Sequence, residues 1–306
     1  MTRALVTGVT GQDGYLLAEQ LLAEGVEVFG LARRADADVP AGTRVLVGDL
    51  LDHGSLQAAV SAARPDELYH LAAPTYVPAS FEDPQRTRRE IVDATELLLG
   101  AAAGARVFVA SSSEIFGAAG ESPQREASAK RPRNPYGEAK LAALEAVAAA
   151  RARGAFAVAG ILYNHESTRR PERFVPRRVS VGAAKIKLGL ADELTLGDLE
   201  AVRDWSAAAD LMRGATLALR HDEPGDYVLA SGVGRTVSEL VAVAFAHVGV
   251  SVEGRVRIDP QFTRGVEAVP LVGDPSKARR ELGWEPQVSF EQLIGQMVDF
   301  DLERLA

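Results

Sequence analysis

The sequence contains no cysteine and only five histidines among 306 residues. Without cysteine there are no disulfides and no thiolate ligands for a metal. The five histidines are scattered and do not show the spacing of a metal site. We therefore predict that the protein holds no metal ion.

Long runs of charge and of apolar residues are also missing. The net charge is -8, from 34 basic and 42 acidic residues without a long run of one sign, which argues against a nucleic-acid partner. No stretch reaches the roughly 18 apolar residues that a membrane span needs, and the N-terminus lacks a signal-peptide layout. With 47% apolar residues, the chain is long enough for a large core. We expect a cytoplasmic globular protein of one or two domains, without membrane attachment.

Short apolar runs rich in β-formers alternate with segments of helical spacing through the first half of the chain. This alternation predicts an α/β fold with a Rossmann-type, doubly wound parallel sheet, which binds ligands at the carboxyl ends of its strands. The predicted strands are 3–8, 26–33, 43–50, 67–73 and 106–112, and the predicted helices are 15–25, 54–64, 84–103 and 136–153.

The pattern changes after about residue 165. A basic, proline-broken stretch is followed by helical segments at 177–190, 206–220 and 236–248, with short strands between them. We predict a first domain over 1–165 and a smaller, mostly helical region over 166–306 that binds substrate, with some of its elements returning to the first domain.

The first predicted strand runs into "TGVTGQDG", with glycines at positions 8, 11 and 14. Gly8 permits a tight turn, Gly11 lets backbone N–H groups approach a pyrophosphate, and Gly14 lets the helix pack closely on the strand. Between a first strand and a first helix, this pattern predicts a dinucleotide site. The alternative is a glycine-rich turn without a ligand.

The end of the second predicted strand bears on the choice of dinucleotide. It reads Ala32-Arg33-Arg34, where an NAD-binding protein would carry a carboxylate for the ribose 2′-hydroxyl. A guanidinium suits a 2′-phosphate, so we predict NADP in preference to NAD, with Arg33 as the contact. The alternative is a pair of solvated surface arginines. Asp49, after the third strand, is a candidate for the adenine amino group.

Tyr136 and Lys140 stand four residues apart at the start of a predicted helix and therefore share one of its faces. For its phenol to act as a base near neutral pH, Tyr136 needs about 4 kcal/mol of stabilisation of the ionised form. One cation near 4 Å supplies roughly that much at an effective dielectric of about 20, and Lys140 and an oxidised nicotinamide could both contribute. The pair is a candidate catalytic set, although two surface residues would give the same spacing.

The stretch "VASSSEIFG" at 109–117 places serines and a glutamate at the end of the fifth predicted strand. Ser112 and Glu114 alternate along an extended segment, so a hydroxyl could hold a reacting oxygen while the carboxylate moves a proton. The alternative is a helix N-cap, for which serine and glutamate are also suited. Phe116 and Gly117 do not continue a helix well, which favours an active site.

Several longer motifs together resemble the extended short-chain dehydrogenase/reductase superfamily and, within it, the GDP-mannose 4,6-dehydratase family. The likeness covers nearly the whole chain, and its "GQDG" and "NHES" pieces are more specific than the superfamily signature. It rests on "TGVTGQDGYLLAE" (7–19), "RPDELYHLAA" (64–73), "SSSEIFG" (111–117), "RPRNPYGEAK" (131–140), "GILYNHESTRR" (160–170), "LGDLEAVRDW" (196–205) and "VGDPSKARRELGWEPQVSFEQL" (272–293).

The resemblance implies a reaction and a set of residues. It implies C4 oxidation of a GDP-hexose with NADP, elimination of water across C5 and C6, and return of the hydride to C6, with Ser112, Glu114, Tyr136 and Lys140 as catalytic residues. The implied cofactor-binding residues are Gly8, Thr10, Gly11, Gln12, Asp13, Gly14, Arg33, Asp49, Leu50, Leu71, Ala72, Ala73, Tyr136, Lys140, Asn164 and His165. The implied substrate-binding residues are Ser113, Asn164, Val175, Arg178, Arg203, Arg264 and Glu267.

Some positions depart from the family pattern. The segment "ADADVPAGT" after Arg34 is shorter than the loop that reaches a neighbouring subunit in tetrameric members, so we predict a homodimer, paired through helices 84–103 and 136–153. Pro74-Thr75-Tyr76 and Gly265 differ from the family at places where the resemblance puts the sugar pocket and a nucleotide contact. The hexose, most simply mannose, is therefore less firmly indicated than the type of reaction.

Two other functions compete with dehydration. "EAVRDW" and "EAVPLVGD" also resemble a reductase of the 4-keto-6-deoxy product, and the superfamily includes epimerases of other nucleotide sugars. Glu114 discriminates against these, because simple reduction at C4 needs no such carboxylate. A catalytically silent NADP-binding sensor would be marked by loss of Tyr136 or Lys140, and both residues are present.

Overall fold

The computed structural model describes residues 1–259 and 269–306 of the chain. Its strands, numbered in chain order, are β1 (Arg3–Thr7), β2 (Glu27–Ala32), β3 (Arg44–Val47), β4 (Glu67–His70), β5 (Arg106–Ser112), β6 (Ala157–Leu162), β7 (Asn164–Glu166), β8 (Leu194–Leu196), β9 (Val202–Ala207), β10 (Asp226–Leu229), β11 (Gly234–Thr236) and β12 (Val256–Ile258).

The helices are numbered in the same way. They are α1 (Gln12–Ala23), α2 (His53–Ala63), α3 (Ala79–Glu82), α4 (Pro84–Arg88), α5 (Ala94–Ala101), α6 (Pro135–Ala152), α7 (Val175–Lys187), α8 (Ala208–Arg220), α9 (Val237–His247), α10 (Ser276–Leu282) and α11 (Phe290–Leu305). A π-helical turn at Arg89–Asp93 joins α4 to α5, and a 3₁₀ turn at Ser113–Ile115 follows β5.

Seven strands form one parallel sheet in the order β10-β6-β5-β4-β1-β2-β3. The strand order reverses at β1, which pairs with β2 on one side and with β4 on the other. In a doubly wound sheet, this reversal opens a crevice beyond the carboxyl ends of the two central strands. The predicted α/β fold with a parallel Rossmann-type sheet is confirmed.

Both faces of the large sheet are covered, as a parallel sheet requires. Leu5, Leu68 and Val109 face the side covered by α2, α5 and α6. Their strand neighbours Val6, Tyr69 and Phe108 face the other side, where α1 and α8 pack. The carboxyl edge is left open between these layers, so the polar residues that follow β1, β4 and β5 converge there.

A second core lies among α7, α9 and α11, together with the small sheets β11-β9-β7 and β12-β8. Residues beyond 165 also contribute to the large sheet, because β10 pairs with β6 and α8 packs on α1. The boundary at residue 165 stays a prediction. Within the described ranges, no helix combines the length and apolarity needed to cross a membrane.

Candidate active site

The glycine loop lies at the carboxyl end of β1, beside the first residues after β4. Gly8 has a φ of +74°, and a Cβ there would come within 2.9 Å of the Ala72 backbone. A Cβ on Gly14 would come within 2.2 Å of the Gly8 carbonyl oxygen. The packing therefore requires glycine at both positions, and it brings the exposed backbone of Thr10 and Gly11 to the start of the 12-residue helix α1.

The hydroxyl of Thr7 joins this loop to the segment after β4. Its oxygen accepts hydrogen bonds from the N–H groups of Leu71, at 3.2 Å, and Ala72, at 3.1 Å. The hydroxyl also lies 2.8 Å from Nδ1 of the buried His70. Burial, reinforced by the charge of Lys140, lowers the pKa of His70 to about 3, so this ring is neutral. Residues 71–73 thus line the same crevice as the glycines.

The residues predicted to contact the adenosine half lie at the ends of β2 and β3. Arg33 is exposed, whereas Arg34 pairs with Asp36 at 3.0 Å. One oxygen of the Asp49 carboxylate accepts a hydrogen bond from the N–H of Leu51 at 2.9 Å. Leu50 is partly buried beside it. The contact of Arg33 with a 2′-phosphate stays a prediction.

The end of β5 and the start of α6 together hold Ser112, Glu114, Asn134, Tyr136 and Lys140, which we call the catalytic cluster. Asn134 caps α6 and donates a hydrogen bond to the Glu114 carboxylate at 2.8 Å. Ser112 is near enough to the phenol of Tyr136 to lower its pKa, and the Ser112 oxygen accepts a hydrogen bond from the N–H of Glu114 at 3.3 Å. Lys140 donates to the carbonyl oxygen of Ala110 at 2.7 Å. Ser113, also predicted as a site residue, is buried in the 3₁₀ turn.

The electrostatics of the catalytic cluster are dominated by burial. Burial raises the pKa of Tyr136 to about 12, with the Ser112 hydrogen bond opposing and the Glu114 charge reinforcing the rise. Burial lowers the pKa of Lys140 to about 8, against the attraction of Asp13. That Lys140 and an oxidised nicotinamide together lower the Tyr136 pKa stays a prediction. The Lys140 ammonium is 5.8 Å from the centre of the Tyr136 ring and donates to a backbone carbonyl.

The "GQDG" and "NHES" motifs meet across more than 150 positions of sequence and form what we call the brace cluster, Gln12, Asp13, His165 and Ser167. His165 Nε2 lies 2.9 Å from the Asp13 carboxylate, and its Nδ1 lies 2.6 Å from the carbonyl oxygen of Tyr163. The Gln12 amide donates to the His165 carbonyl oxygen at 3.1 Å and accepts from the Ser167 hydroxyl at 2.9 Å.

Both ring nitrogens of His165 face acceptors, so the geometry favours a doubly protonated imidazolium paired with an ionised Asp13. Burial by itself would lower the pKa of His165, but the Asp13 charge and hydrogen bond outweigh it and raise that pKa. Burial would likewise raise the pKa of Asp13, but His165 and Gln12 leave it below its ordinary value. The assignment of Gln12, Asp13 and His165 as cofactor ligands stays a prediction.

The predicted substrate-binding residues lie on the second region. Asn164 begins β7, which pairs with β9, the strand that carries Arg203. Val175 is 39% exposed at the start of α7, and Arg178 follows one turn later. Arg178 lines a cavity of about 350 Å³ together with Lys185 and Thr195. Arg264, Gly265 and Glu267 lie outside the described residues.

The segment that departs from the family, Pro74-Thr75-Tyr76, approaches the loop before α7. Tyr76 meets Phe174 edge-on, with ring centres 6.2 Å apart, and the Arg173 guanidinium lies 5.4 Å from the Tyr76 ring centre. Phe174 directly precedes Val175. The segment that differs from the family pattern therefore lies next to Val175, one of the predicted substrate contacts.

Sequence reasoning missed Asn134. It stands before a proline at the first helical position, which is a typical N-cap arrangement, and this signal could have located it. Nothing in the local sequence indicates that its amide reaches Glu114, 20 residues away. Within the described ranges, no group of acidic residues and histidines could hold a metal ion.

A parallel sheet with a glycine loop at its first turn, and with a serine, a tyrosine and a lysine converging beside it, defines a protein of the extended short-chain dehydrogenase/reductase class. A sequence model of the family described as GDP-mannose 4,6 dehydratase matches residues 5–297. The chain belongs to the GDP-mannose 4,6-dehydratase family.

Individual proteins show the same relationship. The chain is 40% identical to GDP-mannose 4,6 dehydratase 2 of Arabidopsis thaliana, over 98% of this chain and 87% of the relative. It is 37% identical to human GDP-mannose 4,6 dehydratase, over 98% and 91%. Among solved structures, it is similar to the RMD protein of Pseudomonas aeruginosa complexed with NADPH. That similarity has a TM-score of 0.83 and 26% identity, and it covers 99% of this chain and all of the other.

Proposed function

We propose that the protein catalyses the NADP-dependent dehydration of GDP-D-mannose to GDP-4-keto-6-deoxy-D-mannose. The observation that carries this proposal is the Glu114 carboxylate, held by Asn134 next to the Ser112–Tyr136 pair. An enzyme that only oxidises or reduces C4 needs a proton donor and acceptor for one hydroxyl. A second acid–base group beside it is needed only when another bond of the sugar is broken.

The crevice fits a dinucleotide. At Gly8 and Gly14 a Cβ would clash, and Gly11 is exposed, so a pyrophosphate could approach the backbone at the start of α1. Residues 71–73 would lie along the cofactor, with Asp49 and Leu50 at the adenine and Arg33 at the 2′-phosphate. NADP, when bound, accepts the C4 hydride and returns it at C6, so it is not consumed.

Tyr136 would remove the proton of the C4 hydroxyl while Ser112 holds the same oxygen. With a pKa of about 12 in the chain alone, the phenol needs further positive charge nearby before it can act near neutral pH. Lys140, with its pKa lowered to about 8, is held at Ala110 and supplies part of that charge when protonated. The remaining positive charge would come from an oxidised nicotinamide ring, if NADP binds in the crevice.

Glu114 would then perform the elimination. A ketone at C4 acidifies the hydrogen on C5, and the Glu114 carboxylate takes that proton. The same carboxyl group gives the proton to the C6 hydroxyl as its bond to carbon breaks, so one water leaves and a C5–C6 double bond forms. Hydride return to C6 and a proton at C5 would complete the 6-deoxy sugar. The proton that Tyr136 took from the C4 hydroxyl balances the one delivered at C5, so there is no net change of oxidation state.

The arginines of the second region would hold the nucleotide diphosphate. Guanidinium groups match a pyrophosphate in charge and in the geometry of their N–H donors. Arg178 and Arg203 are the candidates within the described residues, with Asn164 and Val175 at the sugar side. Arg264 and Glu267 remain predictions from the family resemblance.

We further infer a homodimer acting in the cytoplasm. The segment from α4 to α5 packs against α6, with Ile91, Val92 and Ala143 packed together between them. These two helical segments are the ones through which we propose that the protomers pair. The absence of cysteine suits a reducing compartment. Light scattering should give twice 32.5 kDa, and four times that mass would contradict the dimer.

The preference for NADP is tested by calorimetry of both dinucleotides with the wild type and with Arg33→Ala. A charge-assisted hydrogen bond contributes about 1.5–3 kcal/mol, so the variant should lose roughly 10- to 100-fold in affinity for NADP and little for NAD. Arg34→Ala is the matched control, because Arg34 already pairs with Asp36. Tighter binding of NAD than of NADP by the wild type would exclude this cofactor assignment.

The reaction itself is tested by incubating the protein with NADP and a panel of nucleotide sugars, followed by mass spectrometry. GDP-mannose should lose the mass of one water without accumulation of reduced cofactor. Isomerisation without change of mass would identify an epimerase. Turnover of the 4-keto-6-deoxy sugar with consumption of NADPH would identify a reductase. Binding of NADP without any turnover would identify a sensor.

A further inference from the structure

The side chain of Asn134 makes hydrogen bonds in two directions at the start of α6. Its Oδ1 accepts from the backbone N–H of Gly137 at 2.7 Å, and its Nδ2 donates to Oε2 of Glu114 at 2.8 Å. A backbone N–H can only donate, so the amide oxygen has to face the helix and the amide nitrogen has to face Glu114. The capping contact therefore fixes the orientation of the donor that meets the carboxylate.

Glu114 has little else to hold its carboxylate. Of the side chains in residues 1–259 and 269–306, Asn134 is the one that hydrogen-bonds it. The backbone, by contrast, is closely packed, because a Cβ on Gly137 would come within 2.7 Å of the Glu114 carbonyl oxygen. The 3₁₀ turn and the helix start are thus in fixed contact, while the torsions of the glutamate side chain depend on one donor.

We propose that Asn134 is the positioning residue of the acid–base carboxylate, holding Oε2 of Glu114 so that Oε1 is presented to C5 and C6 of the sugar. This inference rests on the proposed dehydration. The terminal torsion of a glutamate is broad, so the side chain needs an external partner to keep one orientation. Proton transfer from C5 and then to the C6 oxygen requires the same oxygen to meet two atoms in turn, which makes orientation decisive.

A helix cap without any effect on Glu114 is the competing interpretation, and chemistry separates the two. Asparagine and aspartate are about equally good N-caps. Asn134→Asp keeps an oxygen for the Gly137 N–H, but it replaces the donor facing Glu114 with a second carboxylate. A role as cap alone predicts an unchanged enzyme, whereas a positioning role predicts loss of the elimination step.

The kinetic test compares the wild type with Asn134→Asp. A displacement of about 1 Å at a reacting group can cost roughly 100-fold, so we expect kcat for the 6-deoxy product to fall about 10- to 100-fold. C4 oxidation should persist and be visible as reduced cofactor, with unchanged KM for GDP-mannose and unchanged melting temperature. Wild-type kcat in Asn134→Asp would overturn the proposal.

Two further variants control for effects of the substitution on helix capping and on folding. Asp83→Asn makes the reverse exchange at another cap that precedes a proline, where Asp83 accepts from the N–H of Arg86 at 2.8 Å, and it should leave turnover unchanged. If Asn134→Asp does not fold, Asn134→Ser retains a good cap with a side chain too short to hold the carboxylate, and it should show the same loss of kcat. Full activity of a folded Asn134→Ser would equally overturn the proposal.

A second readout needs no substrate. The carboxyl carbon of Glu114 is followed by NMR after labelling of glutamate with ¹³C, and the resonance is assigned by its absence in Glu114→Gln. Two carboxylates in contact disfavour ionisation of each other, so this resonance should titrate at higher pH in Asn134→Asp than in the wild type. Superimposable titrations would show that Asn134 does not act on Glu114. If the wild type fails to dehydrate GDP-mannose, that failure counts against the proposed function, and the titration still decides the role of Asn134.

Discussion

The catalytic cluster and the brace cluster lie at the same edge of the sheet and are equally rich in polar groups, yet they use them in opposite ways. In the brace cluster, Asp13 and both ring nitrogens of His165 are occupied by partners within the protein. In the catalytic cluster, within the described residues, Glu114 has a single side-chain donor, and Ser112 is the one side chain whose hydrogen-bonding lowers the pKa of Tyr136. Unused hydrogen-bonding capacity distinguishes groups that can react from groups that hold the fold.

The sequence distances differ as well. The catalytic cluster is collected from one strand end and one helix start, within 29 positions from Ser112 to Lys140. The brace cluster joins the first turn of α1 to the residues at β7, 152 positions away from Asp13. It ties the glycine loop to the strand pair β7–β9 that carries Arg203. A motif can therefore be specific to a family because it fastens the cofactor side to the substrate side.

The strongest way to break this comparison is Glu114→Gln. The substitution keeps the size of the side chain and an oxygen for Asn134, but it removes the group that accepts the C5 proton. We expect loss of the 6-deoxy product by about 10²–10⁴-fold, the usual contribution of general acid–base catalysis. Binding of NADP and oxidation at C4 should persist, so reduced cofactor should accumulate in an absorbance assay run alongside mass spectrometry. Near wild-type formation of product would show that Glu114 has a structural role and does not move the C5 proton.

Tyr136→Phe tests the step before the elimination, which is the oxidation at C4. Phenylalanine fills the same buried space but cannot take the C4 hydroxyl proton, so the first hydride transfer should fall by about 10²–10⁴-fold. In contrast to Glu114→Gln, no reduced cofactor should appear at all. Calorimetry with NADP verifies that the variant is folded and binds. An absorbance signal equal to that of Glu114→Gln would show that the two residues do not act at separate steps.

His165→Ala tests whether the brace cluster acts on stability rather than on chemistry. The variant leaves the Asp13 carboxylate without its cation, and hydrogen bonds to charged groups contribute about 1.5–3 kcal/mol, so the free energy of unfolding should fall by about that amount. Turnover per folded molecule should fall far less than in Glu114→Gln. The measurement is urea denaturation monitored by fluorescence, together with initial rates.

His247→Ala is the matched control for that experiment. His247 also pairs with a carboxylate, Asp299, at 2.6 Å, but its side chain is 35% exposed and that of Asp299 is 60% exposed. Exposed pairs contribute about 0–1 kcal/mol, so this variant should change the unfolding free energy little. Equal losses of unfolding free energy in both histidine variants would mean that the Asp13–His165 pair stabilises the protein no more than an exposed ion pair does.

Much of the large sheet could be predicted because its information is local. Alternating strand and helix patterns, and glycines where β1 turns into α1, are readable in short windows. The predicted helix 84–103 shows the limit of such reading. It contains the described segments α4, a π-helical turn at Arg89–Asp93 and α5. The hydrophobic spacing does not indicate this local change in hydrogen bonding.

The contacts that could not be predicted join distant segments. A return of some later elements to the first domain was predicted, but the strand that returns, β10, and the edge it pairs with, β6, could not be read from local patterns. The meeting of Asp13 with His165 likewise depends on the whole fold. The Lys140 hydrogen bond to the Ala110 carbonyl oxygen was not predicted either, because Ala110 lies 30 positions earlier in the chain. Spacing places two side chains on one helix face, but burial and nearby carbonyl groups decide what each one contacts.

The smallest effect we predict is the pH dependence of the stability that Asp13 and His165 contribute. It tests whether the two side chains act as an ion pair. The pKa of His165 is raised above its ordinary value of 6.5, chiefly by Asp13 acting against burial and the nearby Arg170 charge. Its stabilising effect is therefore fully present below pH 6.5 and is lost as the pH rises through the higher folded-state pKa. The pKa of Asp13 is lowered from 3.8, so its effect is present above that pH and is lost as the pH falls through the lower folded-state pKa.

The pair should accordingly stabilise the protein most between these two ordinary values. The test subtracts the unfolding free energy of the double variant Asp13→Asn/His165→Gln from that of the wild type at several pH values. The two side chains are 23% and 13% exposed, so solvent screens the pair and the difference should shrink by only about 1 kcal/mol between pH 6 and pH 9. A difference that is flat from pH 4 to pH 9 would mean that neither group has a different pKa in the folded and unfolded states. Asp13 and His165 would then stabilise the protein only through contacts that do not depend on their charge.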